Sequence, residues 1–96
     1  MTWEQKLMAL KAITSTHLEM RGPGDWYVSA YDRAVVSDGM LIGEYGNGAT
    51  PQEAVENDWD KITAANRIRI SGKKEVRWNG YMWYELETLD AAKQKG

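Results

Sequence analysis

Two dipeptides constrain this chain more than anything else in it: Asp38-Gly39 and Asn79-Gly80, each set between short runs rich in β-branched and aromatic residues. Asp-Gly and Asn-Gly suit the positive-φ positions of the tightest hairpin turns, so each predicts two antiparallel strands joined by two residues. A two-residue turn at Asp38-Gly39 makes Ser37 face Met40, Val36 face Leu41, Ala34 face Gly43 and Arg33 face Glu44. Side chains alternate along a strand. Trp26, Val28, Ala30, Ala34, Val36, Leu41 and Tyr45 then share the expected core face, with Tyr27, Ser29, Tyr31, Arg33, Met40, Ile42 and Glu44 on the other. In the second hairpin the same rule pairs Trp78 with Tyr81, Val76 with Trp83 and Glu75 with Tyr84, sending Val76, Trp78 and Trp83 inward.

Helix signals frame these strands. Thr2 and Gln5 have capping-box spacing, and Trp3, Leu7, Leu10, Ile13, Thr14 and Leu18 recur at helical intervals, which predicts a helix over 3–20 stopped by Arg21-Gly22-Pro23. Gly43 to Ala49 reads as a flexible passage. Thr50-Pro51-Gln52-Glu53 then supplies an N-cap, a proline at the first helical position and an early acid, so a second helix runs from 51 to about 65 on Val55, Trp59 and Ile62. Ile68-Arg69-Ile70 is a short strand before the turn Ser71 to Lys74, and residues 88–96 read as a frayed tail. The predicted order is α-β-β-α-β-β-β. That is an α+β fold, an antiparallel sheet of hairpins packed against two helices, in a single domain spanning 1–96.

Composition narrows the function. The 96 residues are 43% hydrophobic and 27% charged, a globular mix. No apolar run approaches the length that crosses a bilayer, and the first residues do not read as a signal peptide, so a cytoplasmic protein is expected. The absence of cysteine excludes thiol catalysis, disulfides and thiolate metal sites. Five Trp and five Tyr with no Phe mean that every ring carries a polar group suited to half-buried positions.

No residue set reads as catalytic. His17 is the only histidine and has no second imidazole for a metal, while Glu19 points elsewhere on a helix. Neither a cofactor nor a metal is expected. Glu53, Glu56, Asp58 and Asp60 read as the solvated face of the second helix. Gly46-Asn47-Gly48-Ala49-Thr50 invites comparison with a phosphate cradle, but it lacks the lysine and glycine spacing of one and is better explained by capping.

Charge is distributed unevenly. Residues 44 to 60 hold five acids and no Lys or Arg, whereas 61 to 77 hold Lys61, Arg67, Arg69, Lys73, Lys74 and Arg77 against Glu75, so −5 is followed by +5. The basic segment runs into Trp78, Tyr81, Trp83 and Tyr84, combining cations with stacking rings as single-strand binders do. Against this stands a pI near 5.3. Tyr27, Tyr31, Met40, Ile42, Met82 and Tyr84 would form a continuous outer sheet face, covered either by the first helix in a three-layer monomer or by a partner, itself a second copy or another protein.

The stretch from Asp38 to Trp59, containing Gly46-Asn47-Gly48-Ala49-Thr50-Pro51-Gln52-Glu53-Ala54-Val55-Glu56, together with Val76-Arg77-Trp78-Asn79-Gly80-Tyr81-Met82-Trp83, resembles small uncharacterised bacteriophage and prophage proteins. The resemblance implies a non-enzymatic accessory protein of the host-cell cytoplasm that binds a host or phage protein, with inhibition of a host defence system as one such role. On that expectation Tyr27, Tyr31, Arg33, Arg77 and Tyr84 form the protein-binding surface. The alternative is a single-stranded nucleic-acid or nucleotide binder using Arg67, Arg69, Lys73, Lys74 and Arg77.

Overall fold

Thr2 opens the first helix, α1 (Trp3–Ile13), with its capping box complete: Gln5 N–H donates to Thr2 Oγ1 at 3.2 Å and Thr2 N–H to Gln5 Oε1 at 2.8 Å. The computed structural model describes residues 1–42, 45–65, 67–73 and 75–86. α1 stops well short of the predicted residue 20. Ile13, Thr14 and Thr16 bring β-branched side chains together, and Thr14 is already extended at φ −143° and ψ 164°. Its hydroxyl donates to Leu10 O at 3.2 Å, and the Asp32 carboxylate accepts from Ser15 N–H at 3.0 Å. Both bonds offer the backbone an alternative to another helical turn.

The remainder of the predicted helix is a strand, β1 (Thr16–Gly22), which pairs antiparallel with β2 (Asp25–Ala30) from Thr16↔Ala30 to Met20↔Trp26. Arg21-Gly22-Pro23 therefore belongs to a hairpin end, where Gly24 takes φ +67°, rather than to a helix stop. β3 (Arg33–Ser37) follows a two-residue link and pairs with β4 (Met40–Ile42) in the predicted register, Ser37↔Met40 and Val36↔Leu41. Asp38 and Gly39 both have positive φ, 52° and 79°, as the two-residue turn requires. The expected partners Gly43 and Glu44 lie outside the described residues.

The passage after β4 contains another strand, β5 (Gly46–Gly48), paired antiparallel with β2. Its glycines are required by proximity. A Cβ at Gly46 would collide with Ala54 O and Asp58 N on the second helix, and one at Gly48 with Glu53 Cβ. That helix, α2 (Pro51–Ala64), begins as predicted, with Thr50 as N-cap and Pro51 in the first turn. Beyond it lie β6 (Arg67–Ile70), β7 (Val76–Trp78) and β8 (Trp83–Glu85). The expected tail 88–96 falls outside the described residues.

The fold is α+β, with the hairpins divided between two antiparallel sheets of order β1-β2-β5 and β4-β3-β6-β7-β8. This division corrects the face assignment. β2 keeps the predicted phase, burying Val28 and Ala30, but β3 lies in the other sheet and turns Arg33 and Val35 to the core; Val36 is buried as expected, though on the opposite face beside Arg67, while Leu41 and Tyr45 are exposed. The β7–β8 register also moves by two residues, to Trp78↔Trp83, Arg77↔Tyr84 and Val76↔Glu85. A shift of two preserves the face, so Val76 is buried and Trp78 and Trp83 pack half-buried against the core as expected.

Two apolar clusters result. Leu10, Trp59, Ile62 and Ala65 meet Val35, Ile68, Ile70 and Val76 of the larger sheet, and Ala54 and Val55 meet Val28, with Trp3, Leu7, Leu18 and Trp26 alongside. Leu10 of α1 and Trp59 and Ile62 of α2 thus lie against the same face of the five-stranded sheet. Neither helix covers its other face among the described residues.

Candidate binding face

Strand alternation builds the uncovered face. β6 buries Ile68 and Ile70 and turns Arg67 and Arg69 outward; β7 buries Val76 and exposes Arg77. Arg77 is paired with Tyr84 on β8. One residue beyond the Ile68↔Val76 pair, Arg67 and Arg77 occupy adjoining strands at the same level, so Arg67, Arg77 and Tyr84 form a row across the sheet. Arg69, paired with Ala34, stands beside that row.

Glu75 organises part of this charge. Its Oε1 accepts from Arg67 Nη1 at 3.0 Å and its Oε2 from Arg69 Nε at 3.2 Å. One carboxylate therefore holds two guanidinium groups on the surface, leaving an excess of positive charge. Arg77 makes no ion pair among the described residues and is exposed. Lys73 is exposed in the turn after β6, and Lys74 lies outside the described residues. Four of the five expected nucleic-acid-binding residues are thus described, three of them on one face.

The β7–β8 hairpin is firmly anchored. Trp59, Trp78 and Trp83 pack edge-on, with centroids 4.8, 5.8 and 4.9 Å apart, and Trp83 Nε1 donates to Ala9 O at 2.9 Å. Its loop is longer than the predicted two residues because Asn79 caps it: Asn79 Oδ1 accepts from both Tyr81 N–H and Met82 N–H at 2.9 Å, and Asn79 N–H donates to Met82 O at 3.1 Å. An Asn side chain that mimics a backbone turn in this way could have been considered from the sequence. The loop leaves Tyr81 91% exposed.

The residues expected to bind a protein are not brought together. Tyr27 belongs to the smaller sheet, 5.4 Å from the Tyr45 ring with the Arg21 guanidinium 3.6 Å from its own centroid. Tyr31 is exposed in the link between β2 and β3. Arg33, expected on the outer face, has a fully buried side chain. Only Arg77 and Tyr84 are neighbours, and the continuous face expected from Tyr27 to Tyr84 is divided between two sheets.

Arg33 instead enters the core to meet Asp58, the acid expected on a solvated helix face. Arg33 Nη2 donates to Asp58 Oδ2 at 2.6 Å with both side chains fully buried. Thr16 Oγ1 accepts from Arg33 Nη1 at 3.4 Å and lies 2.6 Å from Thr14 Oγ1. Burial raises the Asp58 carboxyl to about 6 from 3.8, against the lowering effects of the Arg33 charge, its hydrogen bond and Lys61. The signal for Asp58 was its spacing from Val55 and Ile62, which puts it on the buried stripe. Its burial makes it a packing element rather than a group a solute reaches.

No protein-family model, curated protein or solved structure matches this chain. Its own geometry therefore carries the functional argument. At the start of α2, Thr50 Oγ1 accepts from Glu53 N–H at 3.1 Å and Glu53 Oε2 from Ala49 N–H at 2.9 Å, so capping occupies these donors. Glu56 pairs with Lys6 at 3.8 Å. His17 is exposed on β1 opposite Ser29, and no group of three His, Asp or Glu suited to a metal occurs among the described residues. An open groove of about 430 Å³ at the end of α1 has Ile13, Ile70 and Val76 in its lining, with Lys73 and Glu85 as its charged side chains. No helix among the described residues is long and apolar enough to cross a membrane.

Proposed function

We propose that this chain is a non-catalytic module that binds single-stranded nucleic acid across the outer face of its five-stranded sheet. The observation that carries this reading is the row of Arg67, Arg77 and Tyr84 on adjoining strands, with Arg69 beside it. Guanidinium groups attract a phosphate backbone, and a tyrosine at the same level offers a face to a base. The acidic pI does not oppose this, because α2 contributes Glu53, Glu56 and Asp60 away from the sheet's outer face. The protein-binding set supports its reading less well, with members dispersed over two sheets and Arg33 inside the core.

Fluorescence anisotropy with a labelled oligothymidine of about 12 nucleotides tests the proposal. Three phosphate contacts predict a log-log salt slope of roughly −2, a loss of about 15-fold in affinity between 50 and 200 mM salt. Arg77→Ala should flatten the slope by about 0.7. Absence of binding at low salt, or an affinity insensitive to salt, would overturn the reading.

A further inference from the structure

We infer that Tyr81, at the tip of the β7–β8 loop, is a second base-stacking platform, so that the bound strand follows the hairpin from the arginine row to its tip. This rests on the nucleic-acid reading and names which part of the ligand the loop takes. Tyr81 is 91% exposed, yet the backbone beneath it is held by the two bonds into Asn79 Oδ1 and by Asn79 N–H on Met82 O. The three packed tryptophans fix the strands on which that loop stands. An ordered loop that carries an exposed ring avoids part of the ordering cost of binding.

Continuity with the basic face selects the occupant. Tyr81 lies three residues from Tyr84, within about 10 Å along even a fully extended chain, and Tyr84 is paired with Arg77. A ligand held by those arginines therefore has its next segment beside the tip. Base faces stack on such rings irrespective of sequence. The platform accordingly predicts preference for single strands over duplex, whose bases are already stacked and paired, with little discrimination among bases.

The test compares wild type, Tyr81→Ala, Tyr81→Phe and Arg77→Ala by anisotropy on oligothymidine and on a duplex of equal length, with photocrosslinking to 5-bromouracil-substituted oligonucleotide mapped by mass spectrometry. Tyr81→Ala should weaken single-strand binding roughly fivefold or more without changing the salt slope, and Tyr81→Phe should retain it. The crosslink should fall on the peptide containing Tyr81. Unchanged binding by Tyr81→Ala, while Arg77→Ala still weakens it, would overturn the stacking inference and leave the sheet-face reading standing. Failure of the wild type to bind would overturn both, and equal affinity for the duplex would overturn the stacking inference.

Discussion

Arg33 at the start of β3 and Asp58 in the middle of α2 form a 2.6 Å ion pair with both side chains fully buried. Asp58 lies along the helix between Ala54 and Val55, which pack on the smaller sheet, and Trp59 and Ile62, which pack on the larger. The pair therefore marks the seam between two apolar clusters. Taking two charges out of water costs several kcal/mol per ion, recovered only through close geometry and further hydrogen bonds. Thr16 supplies one such bond at 3.4 Å.

Breaking that pair from one side should be far more damaging than replacing it. Asp58→Ala is expected to cost about 3–5 kcal/mol because it leaves the Arg33 charge in the core, whereas Arg33→Met with Asp58→Leu should recover at least half of that loss. Urea denaturation of the three proteins measures both quantities. A double variant as unstable as the single one would show that the pair contributes through bonds that no apolar replacement can supply.

The same carboxyl gives stability a defined pH dependence. Its native pKa of about 6 lies above the ordinary 3.8, so the folded chain binds this proton more tightly than the unfolded chain does. Its stabilising contribution is fully present below pH 3.8 and fades as pH rises through 6. The stability difference between wild type and Asp58→Asn should therefore shift in favour of wild type as pH falls from 7.5 to 4. Carbon-detected NMR titration should place the Asp58 midpoint near 6. A midpoint at or below 3.8 would mean that attraction to Arg33 outweighs burial.

Gly46 and Gly22 should respond differently to the same substitution. Gly46→Ala drives a methyl group into the α2 backbone and is expected to cost about 1–3 kcal/mol or more, since rigid backbone has little room to adjust. Nothing lies within 4 Å of a Cβ at Gly22, where alanine should change stability by no more than about 0.5 kcal/mol. Thermal melts decide it. A harmless Gly46→Ala would show that β5 can separate from α2 without loss.

Local chemistry made much of this fold legible. Thr50 and Pro51 announced α2 because cap and first-turn preferences act within four residues, and Asp38-Gly39 set the β3–β4 register through its own backbone requirements. The longer helix prediction failed where two periodicities overlap. Leu18 fits the helical repeat of Leu7 and Leu10, but Thr16 and Leu18 also alternate as a strand, and pairing with β2 decided the outcome. Arg33 and Asp58 were misplaced for another reason: each fits a buried position by spacing, but neither reveals a partner 25 residues away. Within the candidate face, the basic character of Arg67, Arg69 and Arg77 and the short strand Ile68-Arg69-Ile70 were visible, but Arg67 lay outside that strand. The alignment of Arg67 and Arg69 with Arg77 and Tyr84 required the register of β7–β8, which Asn79 altered by lengthening the loop.

α2 supplies buried residues to both apolar clusters, and α1 reaches both as well through Leu10 and through Trp3 and Leu7, which ties their fates together. Separating either sheet from α2 strips cover from Ala54 and Val55 or from Trp59 and Ile62, and disturbs the ionic seam between them. Neither sheet retains a complete interior without that shared element. Cooperativity thus arises from helices shared between the sheets, and amide protons at the centres of both sheets should exchange through one common opening.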